Sequence, residues 1–529
     1  MSNFDFLKDE FIDLYELCLE AEKNCYIKPR TSAFYSRLAL EFCVGLVYKF
    51  EKIQTSYNEM SLNDLINKKE FKDLFQDESQ IAGLNLIRKF GNDAAHMLKN
   101  IISNADRNLS LNKDIALNCL KGIFDFTVWI AYCYGSTLKT DDIKFDEKYI
   151  LHSSSEEENI NDIKLTDNDV KNNIEKIEVV PTKKHNTRIN NNNFSEKETR
   201  KLFIDFLLMK AGWNLNDKNM FEYEVEGLKS TSSGKGNIDY VLWGDSAYPL
   251  AIIEAKKASY NAKKGEFQAL EYAEALERKF NFFPIRFVTN GFEIFIYENK
   301  NSIPRRIYGF YRKEELLKII ARRNEKITSN DISINKKIID RYYQERAVKK
   351  AIENYISGNR KSLLVMATGS GKTRVAISLV DCLSRLNMVK RTLFLADRVA
   401  LVKQALNSFK NSLPDYTFVD LVAEKDRDNA KIVFSTYQTM MIESEKSRED
   451  GTNKYGVGAF DLIIVDEAHR SIYQKYGDLF EYFDSLILGL TATPKNEIDR
   501  NTFKVFDMNS KEPTDSYDLF EAAKDEFLV

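Results

Sequence analysis

Hydrophobic positions change their period twice along the chain. From Phe4 to about Gly135 they recur at three- and four-residue spacing. Phe11, Leu14, Tyr15, Cys18 and Ala21 open the pattern, and "FYSRLALEFCVGLVYKF" and "ALNCLKGIFDFTVWIAY" continue it. That spacing predicts amphipathic helices packed as a bundle. Between about Lys139 and Asn193 the period is lost. "SSSEEENINDIKLTDNDVKNN" and "RINNNN" are polar and nearly free of aromatics, a composition that cannot bury enough apolar surface to order itself and predicts a flexible linker. Helical period returns in "FSEKETRKLFIDFLLMKAGW", where Ser195 and Glu198 have capping-box spacing and Gly212 would end the helix.

After that helix the pattern becomes extended. Ile238 and Tyr240 to Trp243, then the turn-rich "GDSAYP", then Leu250 to Ile253 predict a β-hairpin. A helical "KKGEFQALEYAEALERKF" follows, then the strands "IRFVTN" and "FEIFIYEN" parted by Asn290 and Gly291, and a basic helical connector, "RKEELLKIIARRNEKI", leading away from this domain. From about Lys336 onward, "SLLVMA", "RTLFLAD", "KIVFSTY", "DLIIVD" and "LILGLTA" alternate with helical stretches. Apolar strands separated by helices predict a parallel α/β sheet buried on both faces. The expected organisation is therefore a multidomain α/β chain: a helical domain over 1–140, a linker over 141–194, an α/β domain over 195–328 and a second α/β unit over 329–529.

Composition changes this picture little. A chain of 529 residues holds roughly three or four domains at the usual prior. Net charge is -3, so contact with nucleic acid must come from local patches and not from an overall basic balance. The six cysteines include no CxxC pair and only four histidines occur, which argues against zinc sites or a disulfide framework and for a reducing cytoplasm. The acidic "MSNFDFLKDEFIDLYEL" lacks the layout of a signal peptide, and no run of about 18 apolar residues occurs, so no membrane-crossing helix is expected.

The hairpin collects charge where a sheet would want neutral residues. If it closes symmetrically about its turn, Asp239 falls opposite Glu254, and Lys256 shares their face. Two facing carboxylates repel unless something positive lies between them, and a divalent cation is the natural candidate.

A second constellation surrounds "MATGSGKT". An apolar strand runs through Thr368 into Gly369, Ser370, Gly371, Lys372 and Thr373, then into a helix. Glycines let backbone N–H groups wrap phosphates at a helix N-terminus, Lys372 reaches the outer phosphates and the Thr373 hydroxyl ligates magnesium. In "DLIIVDEAHR" a strand delivers Asp466 to hold Mg2+ and Glu467 to orient and deprotonate the attacking water, with His469 three residues beyond Asp466. "LGLTATP" ends another strand in Thr491 and Thr493. In "DRYYQERAV", Gln344 has the groups to bond the adenine edge and Tyr343 the ring to stack on it.

These pieces, in this order, resemble the first RecA-like lobe of superfamily 2 helicases and translocases of the DEAH-type set, over roughly residues 335–529. Met366, where the strict phosphate loop has a glycine, matches the helicase version of that loop. By that likeness Arg398, Thr436 and Gln438 contact the nucleic-acid backbone, and Thr491 and Thr493 couple hydrolysis to movement. Asp239 with Glu254-x-Lys256 resembles the PD-(D/E)xK nuclease core, in which the two carboxylates hold Mg2+ and the lysine assists water or the phosphate. Gln268 and Tyr272, one turn apart, match the Q-x-x-x-Y element of nucleases attached to DNA motors, and Glu196 or Glu198 could add a carboxylate.

Together the parts resemble the restriction (R) subunit of type I restriction-modification enzymes. Segments of the helical domain carry the likeness too, through Arg37 and Glu41, expected to pair on one helix face, and through Gly91, Asn92 and His96. The resemblance implies ATP and Mg2+ as cofactors, double-stranded DNA as substrate, and modification and specificity subunits as partners in the cytoplasm, with no membrane. It also implies a second motor lobe with the arginine finger, a contribution of about 10³ to 10⁵ in rate. The chain ends about where that lobe would begin, so weak ATP binding and slow hydrolysis are expected of it alone. Two other readings stay open: a nuclease-helicase of another phage-defence system, and an inactive or split fragment completed by a partner chain.

Overall fold

The protein's structure, a computed structural model, describes residues 2–53, 62–75, most of 81–94, 113–135, 143–150, 200, 204–256, 262–424 apart from 292, 324 and 326, 430–468 apart from 445, 447 and 449, 479–492, 506, 508 and 512–527. Helices Ile12–Asn24 (α1), Pro29–Phe50 (α2) and Lys113–Tyr134 (α3) build the first unit. Pro29 stands in the first turn of α2, where its missing N–H costs nothing. Leu38, Phe42, Val44 and Leu46 of α2 are buried against Cys119, Leu120, Ile123 and Ile130 of α3. Contrary to expectation, one stretch, Ile115–Tyr134, is long and apolar enough to cross a membrane, with a mean hydropathy of 1.3. Most of it is buried in this core, and an apolar core helix satisfies the same length and composition criterion.

Arg37 and Glu41 do share a helix face, 3.5 Å apart. Gly91 packs so closely on Arg37 and the Ala33 carbonyl that a Cβ there would lie 2.2 Å from that of Arg37, so two of the segments singled out in sequence meet in space. Residues 143–150 do not begin a free linker. Asp146 exchanges hydrogen bonds with Asn3, and Glu147 takes bonds from Tyr26 and Lys121, which extends the helical unit to Ile150. The rest of the expected linker, with Ser195, Glu196 and Glu198, lies outside the described residues, as does His96.

The second unit opens with Asp205–Lys210 (α4), which stops at Gly212 in the left-handed region, φ +84°. Its six strands are Phe221–Glu226 (β1), Lys235–Trp243 (β2), Pro249–Ala255 (β3), Ile285–Thr289 (β4), Ile294–Tyr297 (β5) and Arg305–Ile307 (β6), arranged in sequence order. All neighbours are antiparallel except β3 and β4, which are parallel because helix Glu266–Phe280 (α5) carries the chain back across the sheet. Every position of β3 is buried, as suits a central strand. Lys313–Arg322 (α6), expected to lead away, instead folds back: Glu315 and Leu316 are buried, and Leu316 joins the core under the sheet. An amphipathic helix finds an apolar partner where the tertiary structure offers one.

The third unit is a seven-stranded sheet in the order β13-β7-β12-β11-β8-β10-β9, every pair parallel. Its strands are Lys361–Met366 (β7), Thr392–Ala396 (β8), Phe418–Asp420 (β9), Ile432–Thr436 (β10), Leu462–Asp466 (β11), Leu486–Thr491 (β12) and Asp515–Tyr517 (β13). Alternate residues feed opposite cores. Leu364, Phe394, Phe434 and Ile464 face helices Tyr342–Ile356 (α7), Lys372–Arg385 (α8) and Val399–Ser412 (α9), while Leu363, Leu393, Val433 and Ile463 face Met440, Phe460 and Phe483. Burial on both faces explains the continuous apolar runs in the sequence.

The two sheets are joined by buried charge. Asp484, just ahead of β12, accepts from Arg305 of β6 at 2.7 to 3.1 Å, from Arg360 ahead of β7 at 2.9 Å, and from the Tyr311 hydroxyl. Asp461, ahead of β11, accepts from Arg322 of α6 at 2.6 Å and from the N–H groups of Lys390 and Arg391 ahead of β8. Both carboxylates sit at the amino ends of the parallel strands, the edge opposite the glycine-rich turn that follows β7.

Candidate functional site

The charged hairpin closes in the register that symmetric closure predicts. Tyr240 pairs with Ile253, Val241 with Ile252 and Leu242 with Ala251, which sets Asp239 opposite Glu254; symmetry fails only at the turn, where a bulge pairs Trp243 with Pro249. Both carboxylates are buried. Asp239 Oδ2 accepts from the Ala255 N–H at 2.7 Å, which aims the side chain toward the end of β3. Lys256 continues the pairing with β4 by donating its N–H to the Thr289 carbonyl, so its ammonium lies over the same end of the sheet, 2.5 Å from Glu254 Oε1.

The first turns of α5 complete the cluster. Lys256 Nζ also donates to Gln268 Oε1 at 2.9 Å, and Gln268 Nε2 donates to the Tyr272 hydroxyl at 2.8 Å. Glu254, Lys256, Gln268 and Tyr272 thus form one connected chain. Gly265 makes room for it: a Cβ there would lie 2.9 Å from Glu254 Cγ and 3.2 Å from Lys256 Cε. Burial pushes the Tyr272 phenol up; the Gln268 bond opposes this, and the charges of Glu254 and Asp239 add to it.

One residue of this site had no signal in the sequence. Arg200 donates to Asp239 Oδ1 at 3.0 Å, to the Asp239 carbonyl at 3.2 Å and to the Glu222 carboxylate, with its guanidinium 4.9 Å from the Tyr240 ring centre. Burial lowers its pKa, but the Glu222 hydrogen bond and the Asp239 charge outweigh that and leave it raised. In sequence Arg200 is only one of several basic residues in an amphipathic helix, 39 positions from its partner.

No group of three or more His, Cys, Asp or Glu side chains able to hold a metal gathers among the described residues. Magnesium does not need one. It commonly takes one or two carboxylates and fills its octahedron with waters and substrate phosphate oxygens, so Asp239 and Glu254 fit it as a donor set.

In the third unit the glycine-rich turn expected to bind phosphate joins β7 to α8. Gly369 and Gly371 take φ of +83° and +91°, and a Cβ on Gly371 would lie 2.5 Å from Gln344 Nε2. Ser370 is locked by its hydroxyl on the Ala367 carbonyl at 2.7 Å. Thr368 and Thr373 flank this turn, and Lys372 Nζ reaches back to the Met366 carbonyl at 3.4 Å. Asp466 ends β11 on the same edge. Burial and neighbouring Glu467 raise its pKa, and Lys372 draws it back. Glu467 itself holds φ +55°, a strained conformation for a residue with a side chain and one that collects at functional sites.

The two residues expected to read the base divide. Gln344 Nε2 donates to the Ser370 carbonyl at 2.8 Å, and its Oε1 is buried with no hydrogen-bond partner among the described residues, an acceptor suited to the adenine amino group. Tyr343 does not fill the stacking role expected of it. It is fully buried, lies 3.7 Å from and nearly parallel to the Tyr517 ring, and donates its hydroxyl to Ser370, so it supports the loop from beneath. Exposed Tyr342 stands beside it.

Arg398, exposed after β8, and Gln438, exposed after β10, lie two residues beyond the paired Ala396 and Thr436, on the edge that carries the loop. Thr436 bonds Thr439 at 2.9 Å, and Thr491 is buried where β12 pairs with Val365. His469 and Thr493 lie outside the described residues.

Two family descriptions match separate parts of the chain. "Type I restriction enzyme R protein N terminus" matches residues 224–305, the stretch with the hairpin and α5, and "Type III restriction enzyme, res subunit" matches residues 337–496, the stretch from α7 to β12. The chain resembles the R subunit of type I restriction enzymes. The EcoAI endonuclease subunit of Escherichia coli is 29% identical over 367 residues, 64% of this chain and 44% of the relative. The EcoKI endonuclease subunit, also of Escherichia coli, is 27% identical over 424 residues, 64% of this chain and 35% of the relative. A solved fragment of an R subunit from Vibrio vulnificus is 24% identical, covers 63% of this chain and 61% of its own, and has a TM-score of 0.29. The chain therefore spans less than half the length of the curated R subunits it matches. Within it, the second of the two family matches falls on the seven-stranded parallel sheet and the helices that cover it.

Proposed function

We propose that the chain is the restriction subunit of a type I restriction enzyme. It would couple ATP-driven translocation of double-stranded DNA in the cytoplasm to Mg2+-dependent endonucleolytic cleavage, with modification and specificity subunits as partners. The observation that carries this reading is the connected cluster of Asp239, Glu254, Lys256, Gln268 and Tyr272 on the same chain as a phosphate-loop lobe.

In this reading the second unit is a PD-(D/E)xK nuclease domain. Asp239 and Glu254 would hold Mg2+, which when bound polarises the scissile phosphate and lowers the pKa of a bound water. Lys256, kept from swinging by Gln268 and Tyr272, presents its ammonium where charge builds on the phosphate. In the DEAH-type lobe, Lys372 and the loop N–H groups grip the ATP phosphates, Thr373 and Asp466 hold their Mg2+, Glu467 orients the attacking water and Gln344 reads the base. Arg398, Thr436 and Gln438 track the DNA backbone, and Thr491 and Thr493 couple hydrolysis to movement. The helical unit, expected over 1–140 and extended to Ile150, would be a docking or structural module, and the units over 195–328 and 329–529 the nuclease and motor modules.

In a complex reconstituted with modification and specificity subunits, Glu254→Ala and Lys256→Ala abolish Mg2+-dependent cleavage and leave ATP binding intact, while Lys372→Ala abolishes ATP binding. Cleavage by the Glu254→Ala complex at the wild-type rate sinks the nuclease assignment.

A further inference from the structure

Arg200 is not one of the residues that the nuclease reading requires, yet it is among the most constrained side chains around the hairpin. Its guanidinium touches three residues on two strands at once: the Asp239 carboxylate and carbonyl and the Tyr240 ring on β2, and the Glu222 carboxylate on β1. Tyr240 is in turn anchored through its hydroxyl to Asp205 of α4 at 2.8 Å. Glu222 holds φ +49°, the left-handed region that residues with side chains avoid, and its carboxylate is more than half exposed. A planar cation is thus held at the mouth of the site, between a solvent-facing carboxylate and the carboxylate assigned to the metal.

Two features decide what such a residue can do. Asp239 gives one oxygen to the Ala255 N–H and the other to Arg200, so a divalent cation and the guanidinium compete for Oδ1. A guanidinium released on that side keeps Glu222 as an anchor and turns its fork toward solvent, where a phosphate oxygen pairs with it bidentately. We propose that Arg200 is a phosphate-binding exchange residue of the cleavage site: it occupies Asp239 Oδ1 in the metal-free protein and transfers to a DNA phosphate when the cation takes that oxygen. The proposal rests on the nuclease reading and adds to it a DNA contact and an order of events, cation first and phosphate second.

The test uses the full chain with Mn2+ alone, followed by calorimetry, and a short fluorescent DNA duplex, titrated with and without Ca2+. Wild type binds Mn2+ at a site that Glu254→Ala removes, and Ca2+ raises its duplex affinity. Arg200→Ala is expected to bind Mn2+ at least as tightly as wild type, because a competitor is gone, and to lose roughly tenfold of the Ca2+-dependent duplex affinity. The slope of log affinity against log salt should fall by about one. Arg200→Lys, which keeps the charge and loses the fork, recovers part of the affinity. An Arg200→Ala protein with wild-type duplex affinity and salt slope overturns the proposal, as does one that loses Mn2+ binding as fully as Glu254→Ala, since Arg200 would then only brace Asp239. Absence of any Mn2+ binding sensitive to Glu254→Ala in wild type overturns the nuclease reading itself, and the proposal with it.

Discussion

Replacing Asp484 by alanine should separate the two sheets mechanically without touching either site. Three cationic or phenolic partners converge on this carboxylate: Arg305 through two nitrogens, Arg360, and Tyr311. Breaking a buried ion pair by removing one partner costs about 3 to 5 kcal/mol, because the remaining charge is left buried. Arg305 keeps Glu298 at 2.5 Å, and Arg360 is more than a third exposed, so the lower figure, about 3 kcal/mol, is the one to expect. A chain of several units does not unfold in one step, so the quantity to measure is local opening by hydrogen exchange. At about 1.4 kcal/mol per factor of ten, exchange of the β6 amides and the first amides of β12 should accelerate on the order of a hundredfold, with α1 and α2 unaffected. Burial raises the Asp484 carboxyl, but Arg360 and Arg305 outweigh it and hold it well below the ordinary carboxylate range. A depressed folded pKa gives stability that is complete above the unfolded value near 4 and is lost as pH falls below it. The wild-type interface therefore loosens with acid below about pH 4, and the Asp484→Ala protein lacks that limb. Acceleration in β6 of less than about threefold at neutral pH would refute the reasoning, since it would put the ion pair in the range of a solvent-exposed one.

Two further substitutions test the sites. Gly265→Val drives side-chain atoms into Glu254 and Lys256; it should abolish Mg2+-dependent cleavage by the reconstituted complex with far-ultraviolet circular dichroism unchanged, and cleavage within twofold of wild type counts against the packing argument. Gln344→Ala should remove the preference for ATP over GTP in nucleotide titrations, while Tyr343→Phe, which loses the bond it donates to the Ser370 carbonyl and the one it accepts from Arg341, each worth about 1 kcal/mol, keeps that preference and loses only thermal stability.

Much of this protein is legible one segment at a time. The strands of the parallel sheet, the glycine turn at Gly369 and Gly371, and the placing of Asp466 at a strand end follow from local period and local conformational need. The facing of Asp239 and Glu254 belongs to the same class, because a tight hairpin sets its register within the span of its own strands. Gln268 and Tyr272 share a helix face for an equally short-range reason. Arg200 on Asp239, Arg305 on Asp484 and the Tyr343 ring against Tyr517 depend instead on residues 39, 179 and 174 positions apart, so they exist only after whole sheets and helices have docked. That is also why α6 folds back instead of leading away, and why Tyr343 is sealed beneath the loop it was expected to border. The sequence by itself determined which residue types meet at each strand end and turn; the tertiary structure decided which charges are neutralised, and by what, because burial of a charge is tolerated only where a distant partner is brought to it.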